Sequence, residues 1–419
     1  MDIAFFTWEY PPRIVGGLGV YSYEVTRRYV KMGHNVYVFT LNDGKLKTRE
    51  LIGGVEVHRP LLMDITGIMF DIVASELKNW GPGFKFFSDI YLYNLLSASK
   101  LINDLHRSEG YRLDLVSVHD WLSVISGLLV KKHLGIPMVF HVHSTERGRT
   151  MGNGSMTVME LERKGADGAD RIVTVSYAMK SELETLGFPI DKVEVVYNGV
   201  DPDRYDPERI DRDEVYKLRG RYGVKEDDKI ILFIGRLTAV KGIDKLIQAM
   251  PYITAKHPEA KLIVVGLGEL RDYIVSLTKS LGLEDKVILR FDFLSDDERI
   301  LHYAMSDICV FPSLYEPFGI VSVEAMSMAK PVVVGAAGIS GMREIVVPSG
   351  DSQTGVHVDP RRPEDIAWGI NILLDDPKLA ERLGRNGRRR VLEEFTWDRI
   401  AEKTIKIYEE LIETKTRVE

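Results

Sequence analysis

The chain has 419 residues, of which 45% are hydrophobic, and its formal net charge is −7. Acidic and basic residues are interspersed and no long basic run occurs, so the composition argues against nucleic acid as the main partner. The length exceeds what one hydrophobic core usually holds, and two domains of roughly 200 residues each are therefore predicted.

The N-terminus and the apolar runs indicate the compartment. MDIAFFTWEYPP is apolar, has an acid at Asp2 and lacks a basic region, so it does not resemble a signal peptide. No stretch reaches the roughly 18 apolar residues of a transmembrane helix, and we expect a cytoplasmic protein.

Gln248 and Gln353 are the only glutamines, a bias that resembles proteins from hot environments, so a thermophile source is predicted. The single cysteine, Cys309, lies in the apolar run DICVFP, which predicts a buried thiol.

Short apolar runs alternate with amphipathic stretches in the first half. DIAFFTWEY predicts a buried strand, and LGVYSYEVTRRYVKMG predicts a helix that ends at Gly33. Further strands are predicted at NVYVFTL, VEVHRPL, LDLVSVHD, PMVFHVHS, RIVTVS and VEVVYNG. Such nearly continuous β-branched runs are typical of strands buried on both faces of a parallel sheet. The pattern predicts a doubly wound α/β domain.

The polar, proline-containing stretch NGVDPDRYDPERIDRDEV predicts an interdomain linker. Its DPD sequence, Asp201–Asp203, could hold a metal, but turn-forming aspartates are the simpler explanation. After it the alternation restarts, with strands predicted at KIILFIG, KLIVVG, KVILRF, ICVFP and PVVVG. TWDRIAEKTIKIYEELIET at the end predicts a long amphipathic helix. Two such α/β domains leave a cleft between the carboxyl ends of their sheets, where ligands favour binding.

Two glycine-rich turns follow predicted strands. In PPRIVGGLGVYSYEV, Gly16, Gly17 and Gly19 would let the backbone approach a ligand closely. Gly266 and Gly268 in VVGLGEL form a similar turn. Either cluster alone is a weak signal, because a tight turn explains it nearly as well.

HVHSTERGR places two histidines, His141 and His143, on one side of a predicted strand. One interpretation is a metal site that takes a third ligand from His119 in SVHDW, with Asp120 beside it, and this would make the protein a metal-dependent hydrolase. The other is a single strand-end histidine that hydrogen-bonds a ligand, while the second packs within the sheet.

Two cations follow the first strand of the second half, in FIGRLTAVKGIDKLIQAM. Arg236 comes directly after the strand, and Lys241 precedes a predicted helix. This arrangement suits a pyrophosphate, although two ordinary surface cations would give the same pattern.

The stretch SLYEPFGIVSVEAMSMAKPVVVG carries the most specific pattern. A strand leads into a turn with Glu316, and a helix starts near Gly319, whose free N–H groups suit a phosphate or a sugar hydroxyl. Glu324 lies further down this otherwise apolar helix. The two carboxylates could therefore hold different parts of one long ligand, and a ribose diol accepts such a carboxylate well.

The order GGLG, GRLTAVKG, EPFGIVSVEAM and FTWDRIAEKTIKIYEEL resembles that of retaining nucleotide-sugar glycosyltransferases of the GT-B fold. Glycosyltransferase family 4 is the most similar, with the glycogen and starch synthases as cousins. The resemblance covers nearly the whole chain. It implies an N-terminal acceptor-side Rossmann-like domain at 1–203, a C-terminal nucleotide-sugar-binding domain at 204–397, and a final helix at 398–419 that crosses back to the first domain.

The resemblance also implies roles for the matching side chains. Arg236 and Lys241 would neutralise the donor diphosphate as the nucleotide leaves. Glu324 would hold the ribose and Glu316 the hydroxyls of the donor sugar. His143 would lie near the donor sugar and the reaction centre, and no metal would be required.

Backbone groups and loops would complete the donor site. The glycine loop would approach the phosphate from the first domain, and amides at the start of the Glu316–Glu324 helix would bind the sugar and phosphate. A residue of the second domain would lie in the base-contacting loop. The positions implied are Gly16, Gly17, Leu294, Phe318, Gly319 and Ile320, with Arg147 near the acceptor or phosphate.

One departure concerns the donor and acceptor. Bacterial glycogen synthases carry a lysine two residues before the paired glycines and an acid after them, and here those places hold Ile14 and Val20. This difference places polyglucan synthesis from ADP-glucose in doubt.

The expected activity is the metal-independent, retaining transfer of a hexose, glucose first, from a nucleoside diphosphate sugar. UDP- or ADP-glucose is the expected donor, and the acceptor is a hydroxyl of a sugar, sugar phosphate or glucan. No cofactor besides this substrate is expected. The alternatives are the hydrolase that uses His119, His141 and His143, and a non-catalytic nucleotide-sugar-binding protein. The aromatic segment 63–97 could shape the acceptor site or a partner surface, or simply cover the sheet.

Overall fold

The structure is a computed structural model that describes residues 1–64 and 82–416, and it contains two sheets. The first has eight strands in the order β3-β4-β2-β1-β5-β6-β7-β8, and only β3 runs antiparallel to its neighbour. Its strands are β1 (Asp2–Phe6), β2 (Asn35–Phe39), β3 (Arg49–Ile52), β4 (Val55–His58), β5 (Leu115–His119), β6 (Met138–Val142), β7 (Arg171–Thr174) and β8 (Val193–Val195).

The second sheet is parallel throughout, with six strands in the order β11-β10-β9-β12-β13-β14. Its strands are β9 (Lys229–Ile234), β10 (Ala260–Val265), β11 (Val287–Arg290), β12 (Ile308–Phe311), β13 (Val332–Gly335) and β14 (Gly355–Val358). In both sheets the strand order reverses beside the first strand, β1 or β9, as in doubly wound folds.

Helices connect the strands of both sheets. In the first half they span Gly17–Lys31, Pro82–Ser99, Val124–Leu134, Glu146–Arg149, Met156–Gly168 and Tyr177–Thr185, with a π-helical stretch at Lys100–Ser108. In the second half they span Arg212–Arg221, Ile243–Thr254, Arg271–Ser280, Asp296–Met305, Ile320–Ser327, Met342–Ile345, Pro363–Asp375, Pro377–Glu394 and Trp397–Thr416.

Every predicted strand is present, and two further strands lie at sheet edges. The edge strand β3 has a partly exposed RELI sequence and pairs antiparallel with β4. The other, β14, begins at Gly355, where a Cβ would lie 2.4 Å from the carbonyl oxygen of Val332. Neither sequence forms the long apolar run that marks a strand buried on both faces. The predicted burial of Cys309 is confirmed.

The final helix, Trp397–Thr416, packs on the first half of the chain, as predicted. Its residues Ile400, Ile405, Tyr408 and Leu411 share an apolar core with the first sheet and with the helix Gly17–Lys31. The second half therefore returns to complete the core of the first. The domain bounds at residues 203 and 397 stay a prediction.

The predicted linker is an ordered, partly buried segment. Tyr205 is buried, and its carbonyl accepts hydrogen bonds from Ser327 and Arg388. Asp201 caps a turn by accepting from the amides of Asp203 and Arg204. This segment is therefore part of the packing between the two halves.

The chain crosses between its halves twice, and the two crossings lie side by side. The amide of Val200 donates to the carbonyl of Phe395 at 2.8 Å, and the amide of Trp397 donates to the carbonyl of Val200 at 3.3 Å. At Gly199 a Cβ would lie 2.8 Å from the amide nitrogen of Trp397, so only glycine allows this approach.

Part of the aromatic segment 63–97, residues 65–81, lies outside the described residues. Its remainder includes the helix Pro82–Ser99, which covers the first sheet: the Tyr93 hydroxyl donates to the carbonyls of Thr7 at 3.1 Å and Phe39 at 3.0 Å. Phe86 and Tyr91 are exposed on the same helix. Among the described residues, no helix has the length and apolar character needed to cross a membrane.

Candidate active site

Three histidines meet at the carboxyl ends of β5 and β6. His119 and His141 are buried and directly opposite each other in the strand pairing, and their rings stack at 4.4 Å. His143, which is partly exposed, has its Nε2 3.1 Å from Nδ1 of His119. The amide of His143 donates to Asp120 Oδ1 at 2.8 Å, which fixes the end of β6.

The ring nitrogens of the histidine cluster are close enough for one metal ion, but most of them are engaged with each other or with neighbouring side chains. Its ligating atoms lie within 4.8 Å of one another, but an imidazole lone pair lies in the ring plane. The stacked rings of His119 and His141 would have to reorient for both to aim a nitrogen at one ion. Their Nε2 atoms are also occupied, by Ser117 at 3.0 Å and Tyr408 at 2.7 Å. Burial lowers the pKa of all three histidines, so neutral imidazoles fill the cluster.

Lys241 and Glu316 form a nearly buried ion pair at the carboxyl end of the second sheet. The Lys241 Nζ contacts Oε2 of Glu316, to which Ser313 also donates at 3.1 Å. Gly242 follows Lys241 with φ 68°, and a Cβ there would lie 2.0 Å from the carbonyl oxygen of Pro312. The loop with Lys241 therefore packs directly on the end of β12.

Arg236 lies in the same loop and is exposed. Within residues 1–64 and 82–416 it makes no ion pair, so its guanidinium is available to a ligand. The loop after β9 thus carries one cation in an ion pair and one without an ion pair among the described residues, and their binding of a diphosphate stays a prediction.

The helix Ile320–Ser327 begins beside Glu316. Gly319 has φ 102°, and a Cβ there would lie 2.5 Å from Cε of Met342, so glycine is required. None of the described residues accepts a hydrogen bond from the amides of Phe318, Gly319 or Ile320. These amides remain available at the start of the helix, as predicted from the sequence.

Glu324 is buried further along the helix and has three partners, which the sequence alone does not predict. Arg299 and Tyr205 donate to Oε1 at 2.9 and 3.3 Å, and Tyr303 donates to Oε2 at 2.8 Å. The Glu324 charge also raises the pKa of Arg299. A carboxylate accepts about four hydrogen bonds, so one acceptor position on Oε2 has no partner among the described residues. Ribose binding by Glu324 stays a prediction.

The glycine loop of the first half packs against this helix. At Gly17 a Cβ would lie 3.3 Å from Cδ1 of Ile320, whereas at Gly16 it would meet nothing within 4 Å. The amides of Val15 and Gly16 both donate to Oε2 of Glu9 at 2.9 Å. The side chain of Glu9 therefore occupies two of the loop amides, a contact that the glycine pattern does not reveal.

Leu294 and the second glycine turn are further positions singled out in the sequence. Leu294 is buried just before the capping box of the helix Asp296–Met305. Gly266 and Gly268 are required by packing, since a Cβ would lie 1.8 Å from the carbonyl oxygen of Gly235 and 2.3 Å from that of Leu237. The second glycine turn is thus explained without a ligand.

The segment after β6 contacts the second half through Tyr315. The Tyr315 hydroxyl accepts from the amide of Thr145 at 3.2 Å and donates to Glu182 at 3.1 Å. A Cβ on Gly148 would lie 2.1 Å from Cζ of Tyr315. Arg147, next to this contact, is exposed. Tyr315 directly precedes Glu316, so this contact links the two sides of the site.

Comparison with known proteins identifies the family. The model of Glycosyltransferase Family 4 matches residues 15–204, and that of Glycosyl transferases group 1 matches residues 215–390. An uncharacterized glycosyltransferase of Methanocaldococcus jannaschii is 35% identical over 421 residues, which cover 100% of both chains. The chain belongs to glycosyltransferase family 4.

Two further likenesses extend over nearly the whole molecule. A glycogen synthase of Mycobacterium tuberculosis is 28% identical over 97% of this chain and 94% of that protein. The structure of sucrose-phosphate synthase from Thermosynechococcus elongatus has a TM-score of 0.78 at 23% identity and covers 99% of both chains. This family 4 protein is therefore a glycosyltransferase, and its predicted GT-B fold is confirmed.

A buried carboxyl on the helix Met156–Gly168 is expected to make the stability of the family 4 enzyme depend on pH. Glu162 accepts from the amide of Glu146 at 2.7 Å, and burial raises its pKa from 4.5 to about 8. Between these values the folded protein holds a proton that the unfolded chain has lost, so stability falls as pH rises from about 4.5 to 8. Glu162→Gln keeps an acceptor oxygen and removes the charge.

We expect Glu162→Gln to raise the Tm relative to the natural chain at pH 9 and to change it little at pH 5. Thermal unfolding followed by circular dichroism at both values measures this. Glu160→Gln, an exposed neighbour on the same helix, is the matched control and should leave the difference between the two pH values unchanged. An equal pH dependence in the Glu162→Gln and natural proteins would contradict the expectation.

Proposed function

We propose that this glycosyltransferase moves a hexose, glucose first, from a UDP- or ADP-sugar to a hydroxyl of a sugar, sugar phosphate or glucan. The transfer retains the anomeric configuration and needs no metal. One observation carries this proposal: Arg236 and the Lys241–Glu316 pair lie at the carboxyl ends of one sheet beside a helix start with available amides.

Each part of the site has a distinct task in this reaction. In the transition state the sugar becomes cationic while negative charge grows on the departing diphosphate. Arg236 and Lys241, together with the helix amides, stabilise that charge in place of a metal. Glu316 accepts hydrogen bonds from the donor sugar, and Lys241 moves from the Glu316 carboxylate toward the phosphate when the donor binds.

The acceptor side is formed by the first half of the chain. His143 lies at the end of β6 as a neutral imidazole that hydrogen-bonds a sugar hydroxyl. Retention follows if the departing phosphate accepts the acceptor's proton on the same face. Because water competes with the acceptor for the activated sugar, the two halves should close around the donor before transfer.

The names of two relatives guide the choice of acceptor. One is a glycogen synthase and another, by structure, is a sucrose-phosphate synthase, so both a glucan and a sugar phosphate belong in the test. The apolar Ile14 and Val20 beside the glycine loop favour an acceptor other than a glucan, because the glycogen synthase pattern has charged residues there.

A donor and acceptor panel tests the proposal. Metal-stripped protein is incubated with UDP-, ADP- and GDP-sugars, with and without simple sugars, sugar phosphates and glucans, and the nucleoside diphosphate released is measured. We expect release with one donor, an increase with one acceptor, and no effect of chelator. The anomeric configuration of the product, read by NMR, tests retention. Activity that appears only after zinc or manganese is added would contradict metal independence.

A further inference from the structure

A chain of hydrogen bonds runs from the candidate active site to the C-terminal helix. His143 Nε2 lies 3.1 Å from His119 Nδ1, and His119 Nε2 lies 3.0 Å from Ser117 Oγ. Ser117 Oγ lies 2.8 Å from the hydroxyl of Tyr408, which lies 2.7 Å from His141 Nε2. Among the members of this chain, His143 is partly exposed to solvent and the other four are buried. Water therefore does not interrupt the chain between the cleft and Tyr408.

All members of the chain are neutral, because burial lowers the pKa of the histidines and raises that of Tyr408. A neutral imidazole carries one N–H, and each hydroxyl has one proton to donate. A hydroxyl oxygen can also accept two hydrogen bonds, so the bonds run in one direction along the chain if Ser117 and Tyr408 each donate within it. Only two arrangements satisfy this condition, and they give His143 opposite tautomers.

The contact between Tyr408 and His141 decides the direction. It is the shortest of the series, at 2.7 Å, and a phenol is a better donor to an imidazole nitrogen than a neutral imidazole is to a phenol, because the phenol is the stronger acid. With Tyr408 donating to His141, Ser117 must donate to Tyr408. His119 then donates from Nε2 to Ser117 and accepts at Nδ1 from His143.

His141 also has to fit this direction. If its Nε2 accepts from Tyr408, its proton is on Nδ1, which lies 3.4 Å from the hydroxyl of Tyr21. The phenol oxygen of Tyr21 can accept that proton. The 3.4 Å contact with Tyr21 is longer than the 2.7 Å contact with Tyr408, as expected for the weaker bond, in which the imidazole is the donor.

We propose that Tyr408 is a positioning residue that holds His143 as its Nε2–H tautomer, so that the bare Nδ1 accepts a hydrogen bond from a ligand hydroxyl in the cleft. Among the described residues Nδ1 has no partner. A sugar hydroxyl that donates its proton to Nδ1 must point its O–H bond at the imidazole. This requirement restricts the orientation in which a sugar can bind. The part that concerns a sugar rests on the proposed function, whereas the tautomer does not.

The tautomer can be measured without substrate. Selective ¹⁵N labelling of the histidines and long-range ¹H–¹⁵N correlation spectra distinguish a protonated ring nitrogen from a bare one, and His143→Gln assigns the signal. We expect protonated Nε2 and bare Nδ1 at His143 in the natural protein. Tyr408→Phe keeps the ring and removes the hydroxyl, so the His143 signals should shift toward a mixture of the two tautomers.

Two further variants separate this role from simple support of the fold. Ser117→Ala interrupts the chain at another point without altering the C-terminal helix and should give the same mixed tautomer. Tyr10→Phe removes the hydroxyl of a buried tyrosine in the same apolar core, which hydrogen-bonds Thr26 at 2.9 Å and no member of the chain, and should leave His143 unchanged. With donor and acceptor from the panel, Tyr408→Phe and Ser117→Ala should each lower kcat about 10-fold with little change in donor KM.

Protonated Nδ1 at His143 in the natural protein, or an unchanged tautomer in both Tyr408→Phe and Ser117→Ala, would overturn the proposal. The expected tautomers without any transferase activity would instead contradict the proposed function and leave this inference standing. A loss of activity in both variants with unchanged histidine spectra would show that Tyr408 and Ser117 only support the fold.

Discussion

Lys241→Met is expected to lower kcat/KM for the nucleotide-sugar donor by about 10²–10³-fold, the usual cost of removing one preorganised group that stabilises transition-state charge. Methionine keeps the length and apolar stem of the side chain and removes the ammonium. The effect should fall mainly on kcat, because negative charge on the diphosphate is greatest as the sugar leaves. Steady-state release of nucleoside diphosphate, with the donor and acceptor found in the panel, measures both constants.

Lys245→Met is the matched control for this variant. Lys245 is four residues on, at the start of the helix Ile243–Thr254 that follows the Lys241 loop, and its Nζ contacts Asp244 and Gln248, both at 3.3 Å. We expect it to retain nearly full activity. Because Lys241→Met leaves the Glu316 carboxylate without its ion-pair partner, its Tm must be checked so that the assay is run on folded protein. Activity within twofold of the natural enzyme would exclude Lys241 from the diphosphate site.

Glu316→Gln should lower kcat about 100-fold while leaving nucleoside diphosphate binding intact or tighter. Glutamine keeps the shape of the side chain but loses the charge that makes the carboxylate a strong acceptor for sugar hydroxyls. It also releases Lys241 from its ion pair, so the ammonium is freer to contact a phosphate. Calorimetric titration with UDP and ADP, set beside kcat, separates these two effects.

The exposed Glu364, on the helix Pro363–Asp375, provides a control of equal charge change. Glu364→Gln should change neither kcat nor nucleotide binding. If Glu316→Gln weakens nucleotide binding as much as it lowers kcat, Glu316 supports the loop with Lys241 and does not hold the sugar.

The parts of the fold that the sequence predicts share one physical property. Strands such as β9 and β12 are buried on both faces, so burial demands nearly continuous apolar runs that can be recognised locally. The edge strand β3 is under no such demand. Its Arg49 and Glu50 form ion pairs with Glu56 on the neighbouring β4 and with Arg59 directly after it, so charged side chains interrupt any apolar run.

The same distinction applies to the site. Gly319, Glu316 and Lys241 are visible in the sequence because a turn and a helix start require them in a fixed local order. The partners of Glu324 are not visible, since Tyr205 and Arg299 lie on segments far apart in the chain. Tyr408 is likewise 267 residues from His141, and in the sequence it is simply one apolar position of an amphipathic helix.

The paired crossings at Val200 and Phe395–Trp397 have a mechanical consequence. Since both covalent connections pass through one bridged point, the two halves can swing about a single pivot without stretching either connection. The motion would twist a few backbone torsions on each side of Gly199, where the close approach to Trp397 leaves no room for a side chain. A rotation at that pivot would move the far rim of the cleft more than the residues beside the bridge, so the paired crossing is where a closing motion would bend the chain.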